Sequence, residues 1–173
     1  MAGWAPTFSW LTETLAVGGA VPAERIEALS AEHGFCAVID LRDEACDDAQ
    51  ALARHGLELL HLPTPDHGAV TEAMLDEGVA FTRRRLAAEQ RVLIHCEHGI
   101  GRSATLALCV LVDLGLAPLA ALTLAKSRRP LVSPSPAQYE AWTAWLARRR
   151  PPPPLPDFDA FAAIAYRHLQ TQA

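Results

Sequence analysis

The residues best suited to chemistry stand together in His95-Cys96-Glu97-His98-Gly99-Ile100-Gly101-Arg102-Ser103. A thiol precedes a turn with two glycines, and a guanidinium and a hydroxyl follow where an apolar helical pattern begins. The preceding run Val92-Leu93-Ile94 has the composition of a buried strand, so the stretch reads as strand, loop and helix N-terminus. Six consecutive backbone N–H groups, from Glu97 to Arg102, can then surround a tetrahedral oxyanion with the positive end of the helix dipole behind them. Gly99 and Gly101 allow the sharp turn and the close approach of backbone to anion.

In that setting Cys96 is expected to be a thiolate nucleophile, its pKa drawn from about 8.5 into the range of roughly 3.5–7.5. Thiolate activation alone gains about thirty-fold at neutral pH, and part of that is lost because low-pKa thiolates are weaker nucleophiles. The larger share of any phosphate-ester cleavage must come from the N–H cradle and from Arg102, whose planar fork can hold two equatorial oxygens of a transferring phosphoryl group. Ser103 is suited to donate a hydrogen bond to the sulfur, and equally to serve as an ordinary helix N-terminal residue. The leaving oxygen needs a proton, and Asp66 is the candidate general acid. It lies in the Pro63-Thr64-Pro65-Asp66-His67-Gly68 loop, 30 residues before Cys96, with one intervening helix to return the chain to an adjacent strand. Asp43 is the next candidate. The bare Cys-x5-Arg spacing proves little, since with four cysteines composition alone supplies a match about one time in three.

The elements that must position these groups alternate along the chain. Short strands are expected at 8–12 and 15–18, followed by a helix from Pro22 to His33 that Gly34 ends. Strand 36–41, helix 47–55 and strand 57–62 come next, and then the loop 63–68, from which two prolines and a glycine exclude a regular element. Helix 71–90 precedes the central strand 91–96. Helices 103–114, 119–127 and 135–149 follow, and Pro151-Pro152-Pro153-Pro154 must leave the last of them as an extended segment. A final helix over 157–170 carries the apolar stripe Phe158, Phe161, Ala162, Ala165 and Leu169, which must cover something. Strands alternating with helices give a single α/β domain with a central, mainly parallel sheet flanked by helices.

A length of 173 residues, half of them hydrophobic, supports one substantial core. A net charge of -5 argues against a nucleic-acid coat, which rewards excess Lys and Arg. The most membrane-like run, 104–125, is interrupted by Asp113 and Pro118 where a span needs about 20 apolar residues. Cys36 and Cys109 lie in apolar runs and are expected to be buried thiols. The first residues, Met-Ala-Gly-Trp-Ala-Pro, show no export signal, and a cytoplasmic protein is expected.

At this point the loop at 95–103 resembles the signature of cysteine-based protein tyrosine phosphatases, in a chain as short as their dual-specificity branch. Val17-Gly18-Gly19, Val38-Ile39-Asp40-Leu41, the Asp66 loop, and Arg129-Pro130 followed by Gln138 stand where such phosphatases carry comparable stretches, over roughly 8–150. The resemblance implies Cys96 as nucleophile, Arg102 as phosphate binder within the loop Glu97 to Arg102, Asp66 as general acid, Ser103 assisting, Gln138 positioning water, and neither metal nor cofactor. It implies a phosphatase domain at 1–150, with a Pro-rich linker at 151–156 and a helix at 157–173 that packs on the domain or on a partner. It further implies a protein phosphatase for phosphotyrosine, extending to phosphoserine and phosphothreonine. A small phosphate ester or a phosphoinositide is the alternative substrate, although the lysines common in phosphoinositide-phosphatase loops are absent, and Glu97-His98 replaces the small residues of strict tyrosine phosphatases. A rhodanese-like sulfurtransferase and a phosphate-binding module are the rival classes. Some relatives protect the nucleophile as a disulfide, and Cys46, just beyond a strand expected to neighbour the active one, is the partner that this would use.

Overall fold

The computed structural model describes residues 5–170. Residues 1–4 and 171–173, assigned above to the phosphatase domain and to the C-terminal helix, lie outside the described residues. Strands β1 (Phe8–Trp10), β2 (Leu15–Gly18), β3 (Phe35–Arg42), β4 (Glu58–Thr64) and β5 (Arg91–His95) form one sheet in the order β1-β2-β5-β3-β4. The β1–β2 pair is antiparallel, and the pairs β2–β5, β5–β3 and β3–β4 are parallel. The α/β reading therefore holds. β5 is central, and its residues Val92, Leu93, Ile94 and His95 are all buried, which is why it appears in the sequence as an unbroken apolar run.

Alternate residues of the strands serve two cores. Ala16, Val38 and Leu93 face α1 (Ile26–Ala31) and α2 (Ala49–Arg54), together with Leu29 and Leu52. Val17, Ile39 and Ile94 face the larger core, built from α3 (Glu72–Ala87), α4 (Arg102–Asp113), α5 (Pro118–Arg128), α6 (Pro136–Ala147) and α7 (Phe158–Ala165). α4 is buried from Arg102 to Val112, so the helix that leaves the cysteine loop runs through the middle of the molecule. Side-chain caps fix three helix starts. Asp48 accepts from the N–H groups of Gln50 and Ala51, Thr71 from that of Met74, and Ser135 and Gln138 form a reciprocal capping box.

Several expectations are corrected. β4 continues through Pro63 to Thr64, because it is the sheet edge, where a residue without an N–H is tolerated, and Thr64 pairs with Arg42 beyond a register shift. The helix after Pro22 opens as a 3₁₀ turn, Ala23–Arg25, and stops at Ala31. Cys36 is half-buried rather than buried, since it is the extra residue at a register shift near the start of β3, where Phe35 pairs with Arg91 and Ala37 with Val92. The helix expected over 157–170 is two, α7 and α8 (Arg167–Gln170). Its break falls where the Lys126 ammonium takes the Ala165 carbonyl, while Leu169 N–H turns to Tyr166 instead.

Among the described residues no helix is long and apolar enough to cross a membrane. α7 packs through Phe161, which is fully buried against Tyr139 and Trp142. Phe161→Ala is expected to lower the free energy of unfolding by about 3–5 kcal/mol, read as a fall in the urea midpoint at unchanged slope.

Candidate active site

Cys96 is the first residue beyond β5, at the carboxyl end of the sheet and almost wholly buried. The backbone that follows is held from outside. The Cys96 carbonyl faces His95 Nδ1 at 3.1 Å. That of Glu97 accepts from Ala20 N–H at 3.0 Å, and Ile100 O accepts from Ser133 N–H at 2.9 Å. Arg129 donates to His98 O at 2.9 Å and to Gly99 O at 2.8 Å. Gly101 O accepts from both the N–H and the hydroxyl of Thr105 at 2.8 Å. In a trans peptide the N–H of the next residue points opposite to the carbonyl. With these six carbonyls engaged on the outside, the N–H groups of Glu97 to Arg102 are turned toward the sulfur side, and Gly99 N–H reaches Cys96 Sγ at 3.3 Å. Gly99 has φ +67°, and a Cβ there would fall 2.4 Å from the Gly18 carbonyl carbon, so only glycine fits this crossing.

The sulfur also lies 3.2 Å from Ser103 Oγ. Burial by itself pushes the Cys96 thiol up, but the Ser103 hydroxyl and N–H, the Gly99 N–H and the nearby Arg102 charge outweigh it and leave the pKa below its ordinary value. Ser103 thus serves the sulfur and makes no side-chain cap for α4.

Arg102 is 2% exposed and largely committed. NH1 donates to Glu44 Oε2 at 2.7 Å and to Thr64 O at 2.8 Å, and NH2 donates to Glu44 Oε1 at 2.7 Å. Its Nε is buried with no hydrogen-bond partner. A buried guanidinium N–H without an acceptor is costly. The second NH2 hydrogen is close only to Asp66 Oδ1, at 3.5 Å. Two donors of the fork therefore remain for an oxyanion. Glu44, whose carboxyl the bond to Arg102 pulls down to about 2, sets this orientation and has no counterpart in the sequence reading.

Asp66 lies at the rim with its side chain 57% exposed, accepting from the His67 N–H at 3.0 Å. His67 holds φ 60°, a conformation that non-glycine residues seldom adopt and that tends to mark functional loops. Ser135 Oγ donates to His67 O at 2.9 Å, and Gln138 Nε2 donates to Gly68 O at 3.1 Å, so the capping box of α6 also pins the Asp66 loop. Gln138 is buried beside Gly101, and both ends of its amide are engaged, the oxygen by Ser135 N–H. Asp66, Cys96, His98, Ile100, Arg102 and Gln138 line one cavity of about 490 Å³.

Beneath the loop is a charged cluster that the sequence reading missed. Asp40 accepts three bonds from Arg42 and one from Asp47 N–H. Arg42 also donates to Asp47 and to Glu97, drawing the Glu97 carboxylate to this cluster. His95 is buried with Nδ1 facing a carbonyl and Nε2 2.5 Å from Asp47, an arrangement that requires a proton on both nitrogens. Burial opposes that charge, yet Asp47 and Asp40 raise the pKa overall. Asp40, Asp47 and His95 are close enough together to suggest a cation site, but Arg42 already fills it. Cys46 is exposed on the same loop as Glu44, with its thiol near Asp47 O, and is a free thiol like Cys96. The Asp40–Arg42 alternation at the end of β3, an apolar strand otherwise, is the one sequence signal that could have pointed to this cluster.

Residues 17–116 match the family described as "Polymorphic toxin system, DSP-PTPase phosphatase". The phosphatidylglycerophosphate phosphatase PTPMT1 of Arabidopsis thaliana is 30% identical over 127 residues, 71% of this chain and 38% of that protein. The chain thus spans well under half of that relative. The phosphatidylglycerophosphatase and protein-tyrosine phosphatase 1 of Mus musculus is 30% identical over 130 residues, 70% of this chain and 67% of that protein. The crystal structure of PTPMT1 in complex with PI(5)P superposes with a TM-score of 0.76 at 25% identity, covering 81% of this chain and 94% of that one.

Arg129 is not among the residues that line the cavity, and it holds two loop carbonyls while its third donor goes to Ser9 Oγ. Arg129→Met is therefore expected to weaken phosphate or tungstate binding by about tenfold or more, the worth of one to two charge-assisted hydrogen bonds. Calorimetric titration of the oxyanion into each protein checks this.

Proposed function

The chain belongs to the DSP-PTPase phosphatase family, and we propose that it is a cysteine-dependent phosphomonoesterase that cleaves the phosphate monoester of a lipid or small alcohol through phospho-Cys96. The observation that carries the reading is the arrangement at the cavity floor, where a thiol of lowered pKa stands beneath inward N–H groups and beside the partnerless Nε of Arg102.

The phosphate dianion settles in the cradle, with two equatorial oxygens on Arg102 and the others on loop N–H groups. Cys96 thiolate attacks phosphorus in line as the ester P–O bond breaks, and Asp66 gives its proton to the departing oxygen. Water then attacks the phospho-cysteine and passes a proton back to Asp66. The S–P bond breaks, and the returning thiolate is received by Ser103 Oγ–H and Gly99 N–H. Gln138 is a positioning residue in this scheme, since it holds the Asp66 loop through Gly68.

The lipid or small-ester reading draws on the substrates for which the relatives are named and on the cavity itself, whose wall includes Ile100, Pro136, Tyr166 and Leu169. Phosphotyrosine protein is the second reading, which the mouse relative's double name favours.

Cys96→Ser is expected to abolish turnover while leaving tungstate binding in place, and appreciable residual hydrolysis would reassign the nucleophile. Asp66→Ala is expected to slow alkyl phosphates about 10²–10⁴-fold and p-nitrophenyl phosphate, whose leaving group needs little protonation, far less. Equal losses on the two substrates would move the acid to Asp43.

A further inference from the structure

The segment 151–170 lies outside the stretch that carries the family match, yet it forms part of the active-site cavity. Its course is fixed at successive points. Tyr139 Oη donates to Pro156 O at 2.8 Å, Asp157 caps α7 at Ala160 N–H, and Phe161 and Ala165 enter the main core. Beyond α7, Tyr166 Oη donates to Pro134 O at 2.6 Å. Pro134 belongs to the loop that also supplies Ser133 N–H to Ile100 O. Lys126, the chain's one lysine, is buried with its ammonium on three acceptors. These are Val132 O at 2.8 Å, Ala165 O at 2.6 Å and His168 Nδ1 at 2.6 Å. One charge therefore binds α5, the loop after it and both C-terminal helices.

The result is a cavity with two unlike sides. Asp66, His67, His98 and Arg102 supply polar groups, whereas Tyr166 and Leu169 face the cavity from the C-terminal helices. The Tyr166 hydroxyl is already spent on Pro134, so what remains for a ligand is the ring. Leu169 is 59% exposed, an arrangement that leaves most of an apolar side chain in water in the wall of the cavity that also holds Cys96. Among the described lining residues the Ser133 and Ser135 hydroxyls already donate to Leu131 O and His67 O, so a hydrocarbon, which would remove exposed apolar surface from water, suits that side better than a leaving group made of hydroxyls.

We propose that Tyr166 and Leu169 are specificity-determining residues that receive the first carbons of an apolar leaving group, and that Lys126 is the positioning residue that holds this wall over the cradle. This inference rests on the lipid or small-ester reading above, and it commits that reading to esters that are apolar close to the phosphate, unlike the glycerol and inositol phosphates for which the relatives are named.

The test is hydrolysis of ethyl, butyl and hexyl phosphate, soluble esters with the same leaving-group chemistry. For the unaltered protein kcat/KM should rise with chain length, by up to about fourfold per buried methylene. Leu169→Ser should lower kcat/KM for hexyl phosphate about tenfold more than for ethyl phosphate, through KM with kcat little changed. Lys126→Met should reduce the same hexyl-to-ethyl ratio, a change that a general loss of folded protein does not produce. Leu114→Ser, an exposed leucine at the far end of α4, should leave the ratio as it is. Turnover of all three esters without chain-length dependence, or an unaltered ratio in Leu169→Ser, overturns the wall alone. Hydrolysis of p-nitrophenyl phosphate with none of any alkyl phosphate overturns both the wall and the substrate reading beneath it.

Discussion

Six carbonyl oxygens in a row, Cys96 to Gly101, have their partners outside the loop, and the site depends on that fact. A planar trans peptide cannot turn its oxygen outward without turning its N–H inward. The sheet supplies Gly18 and Gly19 as the floor against which Gly99 and Glu97 pack, and α5 ends at Arg129, whose guanidinium takes two of the six. α4 begins as the loop ends, so its dipole adds to the same field. A thiolate is stable there for the reason that a phosphate dianion is. Catalysis follows from donors already in place, which need no reorganisation when charge develops on the phosphoryl group.

The remaining charges are arranged so that this field is not cancelled. Glu97 and Glu44 are both near the cradle, and either carboxylate would repel a dianion if it faced in. Arg42 draws the first away, and the second is used to orient Arg102, leaving Nε and one NH2 hydrogen for the ligand. His95, held protonated between Asp47 and the Cys96 carbonyl, places a cation directly behind the nucleophile's backbone. Its raised pKa contributes stability that is complete below the ordinary value of 6.5 and is lost as pH rises through the folded value. Glu44 acts in the opposite sense, stabilising above 4.5 and losing that contribution as pH falls through about 2.

The sequence made the strand, loop and helix at 91–114 legible because burial leaves an unbroken apolar run and a turn demands glycines, and both are local signals. Cys96, Arg102 and Ser103 were found in that context, and Asp66 was placed through the chain path that returns to β5. Glu44, Asp47 and Arg129 were not legible as site residues, since each acts through a contact spanning 30 to 58 positions that no local pattern encodes. Pro63 misled because proline disfavours a strand interior but not an edge, and edge status is a property of the whole sheet. The apolar stripe at 157–170 correctly required a partner surface. That this surface borders the active site, and that the helix is interrupted where Lys126 takes the Ala165 carbonyl, is visible only in three dimensions.

The loop is built for an oxyanion before one arrives. A crystal structure with tungstate bound tests it most directly. Tungstate oxygens are expected within about 2.7–3.2 Å of the N–H groups from Glu97 to Arg102 and of Arg102 Nε, with the carbonyls of His98 and Gly99 still on Arg129 and Glu44 still on the outer edge of the guanidinium. Carbonyls of the loop turned inward, or an anion bound elsewhere with Arg102 Nε still without a partner, would contradict it.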